Sequence, residues 1–192
     1  MLDILTGRKQ RAEAGSQRNE ICHENIVAVK EQHLNERIEN FRKSISCSNI
    51  DMNVYSSQLL TALSRDREIA QGAFYSIIKT EEGKALSYDS GFASNKPEQI
   101  HDIIEIGDGF PGQVAKDGNI INISEIPEGY LSIETGLGKT SSVNLILFPV
   151  KYNEEVISVI ELASFHKFTE QDELFYTAIS GIIAEQIINN QE

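Results

Sequence analysis

Between Ser142 and Phe165 the sequence carries two strong strand runs, Ser142–Tyr152 and Glu155–Phe165, separated by Asn153-Glu154. Each is apolar on both faces for part of its length, the mark of strands at the centre of a sheet covered on both sides. Thr169 follows, with Asp172 at the third helical position, a capping-box arrangement. The helix it opens runs to about Asn189 and presents Leu174, Phe175, Ala178, Ile179, Ile182, Ile183, Ile187 and Ile188. These cover more than one stripe, so one face packs on the sheet and apolar surface is left for a partner.

The rest of the chain divides near residue 66. Before it, helix formers and polar residues dominate, with no proline and two glycines, Gly7 and Gly15. Leu34, Ile38, Phe41 and Ile45 step by heptad spacing, and the rhythm resumes at Met52, Tyr55, Leu59 and Ala62, as in a helix that pairs with another helix. The polar stretch Ser46–Asp51 offers a break and a cap. After residue 66, Ala73–Thr80 and Lys84–Phe92 alternate as strands around Glu81-Glu82-Gly83, a hairpin signal. Ile103–Ile106 and Asn119–Ile123 read as short strands, and Tyr130–Gly136 as a short helix. The order is helix, hairpin, irregular middle, hairpin, helix: an α+β domain around one antiparallel sheet. The expected division is a helical connector over 1–50 and a globular domain over 51–192.

Charge narrows the partners. The net charge of −12 falls almost wholly after Arg65, where eight lysines and arginines face twenty-one acids; before it nine face eight. An acidic body repels phosphate backbones and anionic lipid, which sets nucleic acid and membrane-surface binding aside. No apolar run reaches the roughly 18–20 residues of a membrane span, and the start lacks a signal peptide's apolar stretch. Cys22 and Cys47, far apart in a polar helical region, point to a reducing compartment and hence a cytoplasmic protein.

Several apparent motifs fail on context. Gly107-Asp108-Gly109-Phe110-Pro111-Gly112 fits a dinucleotide fingerprint, but Pro111 sits inside it, Asp117-Gly118 interrupts the following helix, and no βαβ unit follows. Gly138-Lys139-Thr140 resembles the end of a phosphate-binding loop, yet the required earlier glycine is Ile133. His23, His33, His101 and His166 have no metal-ligand spacing, neither cysteine has a histidine partner, and no catalytic constellation or metal site emerges.

The stretches IEIGDGFPGQVAKDGNIINISEIPEGYLSIETGLG and LILFPVKYNEEVISVIELASFHKFTEQDELFYTAISGIIAEQI together resemble a GAF domain. The likeness rests on the glycine turn and short helix at Gly109–Val114, the short strand Ile120–Ile123, and Thr135–Gly138. Pro149-Val150, the strand Val156–Leu162 and the helix start Phe168–Asp172 complete it; Ser158 departs from the usual glycine. It covers roughly residues 54–190, and the strand ending Glu161–Phe165 resembles that of GAF modules in bacterial sensor kinases and related signalling proteins. The resemblance implies a six-stranded antiparallel sheet with N- and C-terminal helices on one face and a ligand pocket or closed core on the other. Of the known subtypes, cyclic-nucleotide binding lacks its Asn-Lys pair before Phe168. Bilin attachment and free methionine sulfoxide reduction both lack a cysteine after Cys47.

The functional expectation is therefore a non-catalytic sensory or regulatory module in bacterial signal transduction, with no cofactor, passing ligand or dimer-state changes through its terminal helices to a kinase or other output partner. Its alternative is a structural dimerisation module whose pocket its own side chains fill; an enzyme ranks below both. Ligand-site candidates are Phe74, Ser76, Tyr88, Phe110, Gln113, Tyr130, Ile133, Phe148 and Glu161, between the Gly107–Gly138 segment and the sheet. Which of the strand residues point inward depends on register, and a one-residue slip reverses the set. A homodimer is expected through Leu34, Ile38, Phe41, Ile45, Met52, Tyr55 and Leu59, together with Phe175, Ile179, Ile182 and Ile183.

Overall fold

The computed structural model describes residues 27–45, 51–93, 103–124, 126–127, 130–131, 133–135, 138–140 and 143–190. The chain divides into two units, Met1–Arg37 and Ile38–Glu192. In the first, residues 27–37 are helical, and the Gln32 amide donates to Glu36 one turn on at 3.1 Å. Helical backbone continues over 38–44, and 27–44 is α1. The second unit goes on with α2 (Met52–Asp66), β1 (Ile69–Thr80), β2 (Gly83–Phe92), β3 (Ile103–Glu105) and α3 (Gly109–Asp117). Then come β4 (Ile121–Ile123), β5 (Ile133–Thr135), β6 (Gly138–Thr140), β7 (Asn144–Tyr152), β8 (Glu155–Ser164) and α4 (Glu170–Asn189).

Six strands pair antiparallel in the order β3-β2-β1-β8-β7-β4, the sheet expected from the sequence, while β5 and β6 pair with each other. Asn153 and Glu154 take φ of 49° and 65°, the left-handed pair that a two-residue hairpin needs to follow strand twist. The short helix expected over Tyr130–Gly136 is not formed: Ile133–Thr135 is β5, paired Ile133 to Thr140. Its two β-branched residues favour extended backbone over a helical turn.

Alternation along the central strands sorts their side chains into two layers. Ala73, Tyr75, Leu145, Leu147, Val159 and Ala163 share one cluster with Leu86 and with Val114 of α3. The opposite parity faces the helices. Phe148 stacks on Tyr176 of α4 at 4.9 Å, and a Cβ built on Gly72 would lie 3.2 Å from the Leu60 side chain of α2. Hydrogen bonds fasten this layer: Ser90 to Ser56 of α2 at 2.7 Å, Ser180 of α4 to the Pro149 carbonyl at 2.7 Å, and Tyr55 to Gln186 at 3.1 Å.

The start of α4 carries the expected capping box, with Thr169 N donating to Asp172 Oδ2 at 2.8 Å. Arg67, just after α2, adds Nε and Nη2 bonds to the same buried carboxylate at 2.9 and 2.7 Å. Burial would raise the Asp172 pKa, but the bonds from Thr169 and Arg67 outweigh it and hold it below the ordinary value. Asp51 caps α2, its side chain accepting from Asn53 N at 2.9 Å.

Much of the apolar helix stripes is buried within the chain, while Leu174 and Ala178 of α4 stay exposed. Phe41, Ile45, Tyr55, Leu59, Phe175, Ile179, Ile182 and Ile183 are all buried, and Phe41 meets Phe175 edge-on at 6.0 Å. Leu34, Ile38 and Met52 are half-buried. Within the second unit a sheet with one apolar face needs a helical layer over it, and the buried residues of α2 and α4 contribute to that layer. No helix among the described residues is long and apolar enough to cross a membrane.

Candidate functional site

The sheet face away from the helices is covered in part by α3, and the glycines of the false fingerprint explain how α3 gets there. Gly107 N donates to the Gly112 carbonyl at 2.8 Å, and Asp108 N to the Glu105 carbonyl at 3.0 Å, closing a tight turn after β3. A Cβ on Gly112 would lie 2.5 Å from the Glu105 carbonyl oxygen, so no larger residue fits where backbone meets backbone. The turn sets Val114 into the sheet cluster and Phe110 against it.

Under this cover lies Glu161, on β8 between Ala73 of β1 and Leu147 of β7. It is 9% exposed. Tyr75 donates its hydroxyl to Oε2 at 3.3 Å and Tyr130 donates to Oε1 at 3.2 Å. Each tyrosine belongs to a ring pair: Tyr75 with Tyr88 at 5.9 Å, Tyr130 with Phe110 at 4.8 Å. Burial pushes the Glu161 carboxyl up to about 7, against the lowering effect of the Tyr130 and Tyr75 bonds. Burial first, then the neighbouring carboxyl, raise both tyrosine hydroxyls far above their ordinary range. Among the described side chains, no cation lies against Glu161. The site therefore holds a carboxyl poised between its two charge states near neutral pH, walled by aromatic rings.

The structure brings together Tyr88, Phe110, Tyr130 and Glu161 from the expected set. It separates out Phe74, Ser76 and Phe148, which have the other strand parity. Phe148 stacks on α4, Phe74 is fully buried on the helix side, and Ser76 lines a cleft of about 230 Å³ with Met52, Lys79, Ser158 and Ile187. Gln113 points along α3, its amide donating to Asp117 at 2.5 Å. Ile133 lies in β5, and its side chain is outside the described residues, as are Cys22, Cys47 and His101. Tyr75 was not among the candidates. β1 is apolar on both parities, so alternation alone does not separate Tyr75 from Phe74; its cross-strand partnership with Tyr88 does. Among the described residues no group of three or more His, Cys, Asp or Glu is placed to hold a metal ion.

No family model matches the sequence, and no curated protein matches it. Solved structures do. The GAF domain of an Acinetobacter phosphoenolpyruvate-protein phosphotransferase superposes with a TM-score of 0.65 at 13% identity, covering 83% of this chain and 95% of that one. The free methionine-R-sulfoxide reductase of Neisseria meningitidis, solved with its substrate, gives 0.63 at 16% identity, covering 82% and 90%. The type II reductase of Thermoplasma acidophilum gives 0.55 at 20%, covering 70% and 91%. At these identities the likeness is one of fold: the chain has the GAF fold, shared by regulatory domains and by reductases.

Proposed function

We propose that this GAF-fold chain is a non-catalytic regulatory module of bacterial cytoplasmic signalling. It binds a small molecule on the α3 face of its sheet and passes the change through α1 and α4 to an output partner. The observation that carries this reading is Glu161. A buried carboxyl with two neutral donors and, among the described side chains, no counter-charge costs stability that an apolar residue at the same place would not. A core packed solely for structure has no use for it. A ligand site does.

The signalling role is drawn from neighbours such as the phosphotransferase GAF domain and a sensor-type GAF protein of Burkholderia vietnamiensis. The reductase neighbours favour catalysis, but reducing a sulfoxide takes two electrons, and residues 48–192 contain no cysteine to supply them. A homodimer stays part of the proposal, with its surface moved to the exposed side of α4 at Leu174, Ala178 and Gly181. Native mass spectrometry of the gently purified full chain tests the reading. An added small-molecule mass, lost in Glu161→Gln, supports it. Turnover of free methionine-R-sulfoxide with dithiothreitol refutes the non-catalytic assignment.

A further inference from the structure

We propose that the Glu161 site takes a small organic cation, its alkylammonium or quaternary ammonium group seated on the carboxylate between the rings of Tyr75, Tyr130 and Phe110. This rests on the receptor reading above and names its ligand class.

The argument is one of matching charge and surface. Glu161 is buried on a central strand, and both of its oxygens already accept from tyrosine hydroxyls. Hydroxyl dipoles partly stabilise a carboxylate, but they do not cancel its charge, and a desolvated charge is stable where an opposite charge meets it. An anionic ligand would add a second negative charge here. A neutral one would leave the first unmatched. A cation supplies what is missing.

The walls agree with this. Tyr75 and Tyr130, bonded to the carboxyl through their hydroxyls, are each paired with a second ring, Tyr88 and Phe110, and aromatic π-systems beside a carboxylate add to the attraction for a cation. Tyr130 is 36% exposed, the more exposed of the two tyrosines bonded to Glu161. Among the described residues, the titratable groups that bear on Glu161 are Tyr75 on β1 and Tyr130 before β5. The α3 cover contributes Phe110 and Val114, and β7 contributes Leu147. None of these carries charge at neutral pH, so the pH response of the site is that of Glu161. Seating a cation draws the proton off a carboxyl that otherwise titrates near 7, so affinity rises with pH up to that point and levels above it.

Isothermal titration calorimetry on the full chain tests this with choline, whose charge does not titrate. Its uncharged isostere 3,3-dimethylbutanol and free methionine sulfoxide, a zwitterion, are the comparisons. Choline is expected to bind about tenfold more weakly at pH 6 than at pH 8, at least tenfold more weakly to Glu161→Gln, and more tightly than its isostere. Tyr130→Phe, which keeps the ring, is expected to retain more affinity than Tyr130→Ala, a comparison that stands even where Glu161→Gln folds poorly. Equal binding of choline and the isostere overturns the ammonium assignment. So does binding of methionine sulfoxide without choline, and either result leaves the receptor reading in place. No binding by any of the three, with no adduct in the native mass spectrum, overturns both.

Discussion

Replacing Glu161 by glutamine should change how the fold's stability depends on pH, and by an amount the structure sets. In the folded chain the carboxyl titrates near 7, against an ordinary value of 4.5. Between those values the native state holds a proton that the unfolded chain has released, so raising the pH favours unfolding. The difference of about 2.5 units, at roughly 1.4 kcal/mol per unit, makes the cost of full ionisation about 3–4 kcal/mol. That cost is absent below pH 4.5, grows through the interval and is complete above 7. Glu161→Gln is nearly the same size, keeps a carbonyl oxygen to accept one tyrosine hydroxyl, and never ionises. Relative to wild type it should be neutral or slightly destabilising at pH 4.5 and gain about 3 kcal/mol by pH 8. Urea unfolding of both ligand-free proteins at half-unit pH steps and constant ionic strength measures this. A wild-type-minus-variant difference that stays flat within about 0.5 kcal/mol over the interval would show that Glu161 is not desolvated as described, and the reasoning would fall.

Other substitutions probe the frame around the site. Phe41→Ala should cost about 3–5 kcal/mol in urea unfolding, because Phe41 is buried against Phe175 in its own chain, and the sedimentation coefficient should not change. Asp172→Ala removes a cap and an Arg67 partner that is partly exposed, so about 2–3 kcal/mol is expected, read from the urea midpoint. Since the Asp172 pKa is lowered, its contribution is present above the unfolded carboxylate value, near 4, and is lost as pH falls through the folded one. The variant and wild type should therefore converge in strong acid. Gly112→Ala forces a Cβ to 2.5 Å from the Glu105 carbonyl oxygen, and a loss of about 1–3 kcal/mol in thermal or urea unfolding is expected, with weaker binding at the Glu161 site.

Local chemistry made much of this fold legible. The Asn153-Glu154 turn, the strands beside it and the Thr169–Asp172 box depend on neighbours in sequence, so residue types alone specify them. The glycines at 107, 109 and 112 announced a special backbone, but that they serve a turn tucking α3 under Glu105 depends on a contact made only in the folded chain. The site divides in the same way. Glu161, Tyr88, Phe110 and Tyr130 stood out as polar or aromatic residues in otherwise aliphatic strands and in the irregular middle. Their company did not, because β1 is apolar on both parities, and the choice between Tyr75 and Phe74 waits on which face meets α3 and which meets α4. The helix stripes show the limit most clearly. A heptad of apolar residues states that a surface will be covered, and periodicity is the same whether the cover is another copy or the chain's own sheet. Tertiary packing buries Phe41, Tyr55 and Phe175 within the chain and leaves Leu174 at the surface, a division that the period of the pattern does not contain.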